Sequence, residues 1–207
     1  MVDSIAIIAI EECTLKTVTA NHQANNSTCS AKWLYHWELS PFALPRAVRD
    51  WALYRDSMTQ RLKQASETFR VQILKQQWQR PSNSEALLLG LMPASKVLAR
   101  DVHLICNDEV WVAGHSIIPW SSLWGKLRYM QGLLDNRPLG EILFRNPTLK
   151  RGEFQVALLK PEHSEYQWAV RDIDKPPEEL WGRRSLFYLH GKSLMVSEVF
   201  FPEVLTR

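Results

Sequence analysis

The sequence predicts an α+β fold, in which an antiparallel β-sheet of about six strands is flanked by helices. Three observations lead to this prediction. The chain has 207 residues, of which 45% are hydrophobic and 23% charged, as is ordinary for one soluble globular domain. Strand-like alternation of apolar and polar residues recurs through the later two thirds of the chain. Tight-turn signals join successive strand-like segments, which is typical of antiparallel pairs.

The helical predictions come from apolar residues that recur every three or four positions. In the first part of the chain they indicate short helices at 46–53 and 60–65. A longer helix is predicted at 120–136, ending before Arg137-Pro138, and a short one follows at 139–144. Seven segments have strand-like patterns: 68–77, 97–106, 110–118, 154–159, 166–173, 184–189 and 194–201. Turns at 107–109 and 190–192 predict two hairpins.

The chain is predicted to form a single domain over residues 31–207, preceded by an extension. Residues 1–30 are assigned to that extension, which is predicted to be flexible. Its second half, 16–30, is rich in Asn, Ser and Thr and almost free of aromatic residues. Ordered structure is expected to begin near Trp33.

Composition also excludes several classes of protein. The formal net charge is +3 and the basic residues are scattered, so no nucleic-acid partner is expected. No stretch approaches the roughly 18 apolar residues that span a bilayer, and the run at 5–10 is too short for a secretory signal. The three cysteines lack disulfide or metal-ligand spacing, so we expect no metal and a cytoplasmic location.

Two charged residues fall on apolar strand faces. Arg100 shares its face with Leu98 and Val102, and Glu198 shares its face with Val196 and Phe200. A buried charge is costly unless an opposite charge or a ligand meets it. Two interpretations stay open on this pattern alone. The residues form a buried structural Arg–Glu pair, or they line a ligand cavity in which the guanidinium binds a carboxylate and the carboxyl group meets a hydroxyl.

Several short motifs occur in a characteristic order between about Trp33 and Leu205. They are DSMT at 56–59, LAR at 98–100, WVAG at 111–114, IIP at 117–119, RPLGEILF at 137–144, LWGRRS at 180–185, GKSL at 191–194, SEVF at 197–200 and Pro202. Each motif is weak alone, but their joint order and spacing resemble the chorismate lyase (chorismate pyruvate-lyase) family.

The resemblance implies an antiparallel sheet whose internal ligand cavity lies beneath helical flaps. It also implies an enzyme, a carbon–oxygen lyase that converts chorismate to 4-hydroxybenzoate and pyruvate for ubiquinone-type quinone synthesis. No cofactor is implied, and a monomer is the expected state. The hydrogen lost from the ring would move to the enolpyruvyl side chain by a cyclic route or with help from Glu198, and both routes stay open here.

The resemblance also assigns roles to individual residues. Arg100 would bind the ring carboxylate and Glu198 would meet the hydroxyl at the opposite ring position, as the two catalytic residues. Met58 and Leu139 would contact the ligand from the flaps. His115 stands where the family commonly has an arginine after Ala-Gly, and it is a candidate for additional lining. The segment 160–179 is longer than the family pattern and is expected to form a lengthened surface hairpin.

The alternative to an enzyme is a non-enzymatic sensor or carrier of aromatic acids, because effector domains of some transcription regulators share this fold. About thirty polar residues precede Trp33, too few for a DNA-binding helix-turn-helix, so a sensor is not favoured. A carrier would keep both Arg100 and Glu198, and only an assay with chorismate separates it from an enzyme.

Overall fold

The computed structural model describes residues 28–40, 43–124 and 137–207. The strands are β1 (Leu34–Tyr35), β2 (Phe69–Gln79), β3 (Val97–Cys106), β4 (Glu109–Pro119), β5 (Lys150–Arg151), β6 (Gln155–Leu159), β7 (Leu180–Leu189) and β8 (Lys192–Phe200). The helices are α1 (Arg46–Ala52), α2 (Met58–Ala65), α3 (Asn83–Leu89), α4 (Leu139–Phe144), α5 (Ser164–Ala169) and α6 (Pro202–Leu205), with a 3₁₀ helix at Trp120–Leu123.

All eight strands belong to one antiparallel sheet. Its order is β1-β6-β7-β8-β4-β3-β2, and β5 pairs with β7. The two central hairpins, β3–β4 and β7–β8, each turn through two residues. Asn107 and Asp108 form the first turn and His190 and Gly191 the second, all with positive φ. This is the backbone that two-residue hairpins of twisted strands require, and Asn, Asp and Gly are the residues that adopt it most readily.

Helices cover both faces of the sheet. On one face α1, α2, α4 and α6 pack over β3, β4, β7 and β8, with Trp51, Leu62 and Leu143 among their fully buried side chains. On the other face α3 and α5 pack over the same strands through Leu89 and Ala169. Strands β3, β4 and β8 are therefore buried on both sides, and a polar residue on either face needs a partner.

The predicted fold class is confirmed, with eight strands rather than six. The two additional strands, β1 and β5, have two residues each, too few to show a periodicity. Helix α3 was not predicted from the sequence. It begins with a capping box in which Ser82 and Glu85 bond each other's backbone N–H, and it ends at Gly90 in the left-handed conformation.

One predicted strand is wrong. Residues 166–173 do not form a strand, because the segment contains α5, in which Tyr166 and Ala169 are buried one helical turn apart. The alternation of Tyr166, Trp168 and Val170 suits a strand equally well, and contacts with the sheet decide between the two. The segment 160–179 is consequently not a surface hairpin, because its helix packs on the sheet.

Two further predictions fall largely outside the described residues. Of the helix at 120–136, the structure describes the first turn as a 3₁₀ helix, and 125–136 lie outside. Of the extension at 1–30, residues 28–30 are described. There Cys29 exchanges backbone hydrogen bonds with Glu162 and Ser164. In the described ranges, none of the helices is long and apolar enough to cross a membrane.

Candidate active site

The candidate site is a cavity between the sheet and helices α2 and α4. Strands β3, β4, β7 and β8 form its floor and the two helices form its cover. The lining is largely apolar with a few charged groups, as in sites for small aromatic ligands. The lining residues are Met58, Thr59, Arg100, Val102, Leu104, Gly114, Ser116, Pro138, Leu139, Gly140, Leu143, Phe144, Arg151, Phe187, Val196 and Glu198.

Strand register places Arg100 and Glu198 apart on the floor. Arg100 on β3 pairs with Ser116 on β4, whereas Glu198 on β8 pairs with Gly114. Two inter-strand steps separate β3 from β8, so the two backbones lie about 10 Å apart. Gly114 lies between them, and a Cβ added there would come within 3.1 Å of Cγ2 of Val102. A side chain at position 114 would therefore crowd Val102, and glycine lets the two strands pack closely in the floor between the two charged groups.

Glu198 is held by two arginines. Nε of Arg183, the residue opposite it on β7, donates to Oε2 at 2.6 Å, and Nη2 of Arg151 lies 3.6 Å from the same oxygen. The Arg183 side chain is fully buried, and its Nη1 donates to the carbonyl oxygens of Trp51, Ala52 and Tyr54. Arg183 thus positions the carboxylate and also satisfies carbonyl groups at the end of α1.

Arg100 is buried, with 2% of its surface exposed, on the part of the floor nearer β2. Its Nη2 donates to the carbonyl oxygen of Arg137 at 3.3 Å, immediately before α4. A guanidinium in this position can bind a carboxylate through two parallel hydrogen bonds. Its contact with residue 137 also links it to the segment that leads into the cover.

Arg151 is a further charged residue of the lining. Its guanidinium lies between the rings of Phe154 and Phe187, at 4.3 and 4.7 Å from their centroids. Burial and the neighbouring charge of Arg183 lower the pKa of Arg151, and the carboxylate of Glu198 acts in the opposite direction. An additional anion nearby would therefore favour the charged guanidinium.

Within the described ranges, the cover consists of α2 and α4, which contact each other. Lys63 and Glu141 form an ion pair between them, and Gly140 packs so closely that an added Cβ would lie 2.8 Å from Oγ1 of Thr59. The cavity has a volume of about 50 Å³. A benzene ring occupies a protein cavity of roughly 150 Å³, so an aromatic acid fits only after the cover moves outward.

His115 lies on the other face of the sheet and not in the cavity. Its neighbours Gly114 and Ser116 line the cavity, and successive side chains of a strand point to opposite faces. Its Nδ1 lies 2.5 Å from Oδ1 of Asp101 and its Nε2 lies 2.9 Å from Oε1 of Glu85. Burial opposes the imidazolium, but these two hydrogen bonds and charges prevail and raise the pKa of His115 to about 9.

The structure brings together four of the five residues singled out from the sequence: Arg100, Glu198, Met58 and Leu139 line one cavity. Two arginines were missed. Arg183 stands just before the strand predicted at 184–189, although alternation places it on the same face as Trp181 and Phe187, a signal like that of Arg100. Arg151 stands on a strand of two residues, where no pattern could have revealed it.

Comparison with known proteins identifies the family. A family model described as chorismate lyase matches residues 28–207. A probable chorismate pyruvate-lyase of Methylobacillus flagellatus is 40% identical over 160 residues, which cover 77% of this chain and 89% of that protein. Another, of Thiobacillus denitrificans, is 37% identical over 172 residues, covering 83% and 91%. The chain belongs to the chorismate lyase family. As a member of this family it is a lyase.

Solved structures with a similar fold include two that share little sequence with this chain. PhnF of Mycobacterium smegmatis aligns with a TM-score of 0.52 at 11% identity, covering 73% of this chain and 66% of that one. The C-terminal domain of a histidine utilization repressor of Pseudomonas syringae aligns with a TM-score of 0.50 at 13% identity, covering 68% and 95%. At this identity the likeness concerns the fold alone.

Proposed function

We propose that this chain is a cytoplasmic chorismate pyruvate-lyase that converts chorismate to 4-hydroxybenzoate and pyruvate, as the first step of quinone synthesis. The observation that carries the proposal is the placement of Arg100 and Glu198 at separate positions on the floor of one largely apolar cavity. Chorismate has a carboxylate and a hydroxyl at opposite positions of a six-membered ring. The two side chains offer one partner for each group.

In the proposed complex, Arg100 binds the ring carboxylate and Glu198 accepts a hydrogen bond from the ring hydroxyl. Met58 and Leu139, from the two helices of the cover, pack against the ligand. The pairing of Glu198 with Arg183 supports a role as a fixed hydrogen-bond acceptor, because the buried guanidinium holds Oε2 in one place. The ring is then held at both ends, with its enolpyruvyl group confined beneath the cover.

The reaction needs positioning more than it needs a nucleophile. The ring carbon that bears the hydroxyl loses its hydrogen, the neighbouring carbon loses its ether oxygen, and the ring becomes aromatic. If the methylene carbon of the enolpyruvyl group accepts the hydrogen, the ether oxygen becomes the ketone oxygen of pyruvate and every atom is accounted for. Holding the side chain in the reactive conformer can contribute about 7–11 kcal/mol to lowering the barrier.

The direct test is to incubate the purified chain with chorismate and to measure 4-hydroxybenzoate by chromatography and pyruvate by a coupled dehydrogenase. We expect the two products in equal amounts, formed in proportion to the protein concentration. Tight binding of 4-hydroxybenzoate without conversion of chorismate would instead identify a carrier or sensor. Failure to bind either compound would refute the proposed site as well.

A further inference from the structure

Arg151 is a largely buried cation of the cavity to which the proposed reaction has so far assigned no role. Its side chain is 12% exposed. Nε donates to Oγ of Ser185 at 3.0 Å, and Nη1 donates to the carbonyl oxygen of Arg55 at 3.1 Å. Because these bonds and the two flanking phenylalanine rings fix the plane of the guanidinium, Nη2 is held in one place beside the carboxylate of Glu198.

Arg151 stands in a group of charges at one end of the cavity. In the described part of the chain, Arg151 and Arg183 both approach the carboxylate of Glu198, and Arg151 also lines the cavity. Chorismate carries a second carboxylate on its enolpyruvyl group, which 4-hydroxybenzoate lacks. A guanidinium on the wall of the cavity is a suitable partner for that group.

The position of Arg151 relative to Glu198 indicates which part of chorismate it meets. The ring hydroxyl and the enolpyruvyl ether are attached to adjacent ring carbons. With the hydroxyl at Glu198, the ether oxygen comes next to it. Nη2 of Arg151, 3.6 Å from Oε2 of Glu198, is a charged donor beside this position on the wall of the cavity. Arg100 is engaged with the carboxylate at the other end of the ring.

We propose that Arg151 binds the enolpyruvyl group of chorismate and that its Nη2 donates to the oxygen that leaves the ring with pyruvate. This inference rests on the proposed function. As the carbon–oxygen bond breaks, its electron pair moves onto that oxygen, which becomes the ketone oxygen of pyruvate, while the ring hydrogen joins the methylene carbon. A rigidly held guanidinium stabilises the negative charge that develops on the oxygen during this step.

The test compares Arg151→Gln with Arg184→Gln. Arg184, on β7, is also a buried arginine, but it bonds Gln155 and Ser84 instead of groups of the cavity. For each variant we would measure kcat and KM for chorismate, the Kd of 4-hydroxybenzoate and the thermal midpoint. Removing one donor to a developing oxyanion typically lowers kcat about 100- to 1000-fold. We expect a loss of this order in kcat/KM for Arg151→Gln and little change for Arg184→Gln.

The affinity for 4-hydroxybenzoate separates a catalytic from a structural role. Since the product lacks the enolpyruvyl group, its Kd should change little in Arg151→Gln. Equal losses of substrate turnover and product affinity would overturn the proposal, because Arg151 would then only maintain the cavity. Wild-type kcat/KM in Arg151→Gln would overturn it too, and would leave the proposed function intact if the wild-type chain converts chorismate.

A second variant and a stable ligand cover the case in which Arg151→Gln does not fold. Arg151→Lys keeps the charge and loses the planar donor. The probe is 3-carboxymethoxy-4-hydroxybenzoate, an aromatic acid with a side-chain carboxylate next to the hydroxyl. We expect the wild type to bind it, and Arg151→Lys to lose more affinity for it than for 4-hydroxybenzoate. An unchanged affinity ratio would refute the contact.

Discussion

Glu198 stabilises a buried group of charges as well as lining the cavity. Oε2 of Glu198 lies 2.6 Å from Nε of Arg183 in the interior of the protein. Arg55 and Glu153 form a pair of similar length, 3.0 Å, but on the surface. The surface pair contributes little because solvent screens it. Loss of one partner of a buried pair leaves a buried charge without compensation. The same substitution should therefore lower the free energy of unfolding more at the buried pair than at the surface pair.

Glu198→Gln should therefore reduce both stability and turnover. We expect the free energy of unfolding to fall by about 3 kcal/mol, because two buried guanidinium groups lose their counter-charge. Glu153→Gln is the matched control and should cost less than about 1 kcal/mol. Denaturant titration measures both values. Wild-type turnover in Glu198→Gln would exclude a general acid or base role for this carboxyl group.

Arg100→Ala should lose affinity for substrate and product alike. The ring carboxylate would enter the cavity without its partner, which typically costs about 3 kcal/mol, or about a hundredfold in Kd. Isothermal titration with 4-hydroxybenzoate measures the effect, and Arg80→Ala, at an exposed arginine, is the control. A Kd within threefold or so of the wild-type value would contradict the assignment of Arg100 to the carboxylate.

Helices α2 and α4 act together as the cover of the cavity. They meet through the close contact of Gly140 with Thr59 and through the ion pair of Lys63 with Glu141. Because the cavity is smaller than the roughly 150 Å³ cavity that holds a benzene ring, we expect both binding and release to require these elements to separate. We therefore expect product release to limit turnover. Rapid mixing should show a burst of 4-hydroxybenzoate, with the first turnover faster than the steady-state rate.

Gly140→Ala should loosen this cover. Its Cβ would lie 2.8 Å from Oγ1 of Thr59 and would push the two helices apart, an overpacking that costs about 1–3 kcal/mol. We expect the Kd of 4-hydroxybenzoate to rise about tenfold and the burst to shrink. Gly152→Ala is the control, because its added Cβ would make an ordinary contact of 3.5 Å with the carbonyl oxygen of Leu186. An unchanged burst in Gly140→Ala would argue against gating by these helices.

For the whole molecule, the two faces of one sheet have separate roles. Residues 100, 114, 116 and 198 face the cavity, whereas the alternate residues Asp101 and His115 face helices α3 and α5. There the imidazole of His115 stacks on Trp168, and Arg171 lies 3.3 Å from Asp101. These contacts join the hairpin of β3 and β4 to helices α3 and α5 on the face away from the cavity.

The same cluster should make stability depend on pH. The pKa of His115 is about 9 in the folded chain against 6.5 for an unperturbed histidine. His115 therefore contributes its full amount to the free energy of unfolding below about pH 6.5, and this contribution is lost as the pH rises through 9. We expect the free energy of unfolding to fall by about 3 kcal/mol over this interval, relative to His115→Gln. Denaturant titrations across pH measure it. A wild-type stability that changes with pH no more than that of His115→Gln would refute the prediction.

The amino-acid sequence by itself determined the long strands, the two central hairpins and the apolar faces on which Arg100 and Glu198 stand. These follow from local alternation and turn chemistry, which need no knowledge of distant contacts. Only the tertiary structure decided that α5 is a helix, that Glu198 is held by Arg183 and Arg151, and that His115 faces away from the cavity. The reason is that strand pairing and packing bring these groups together from positions far apart in the chain, and no local pattern records such contacts.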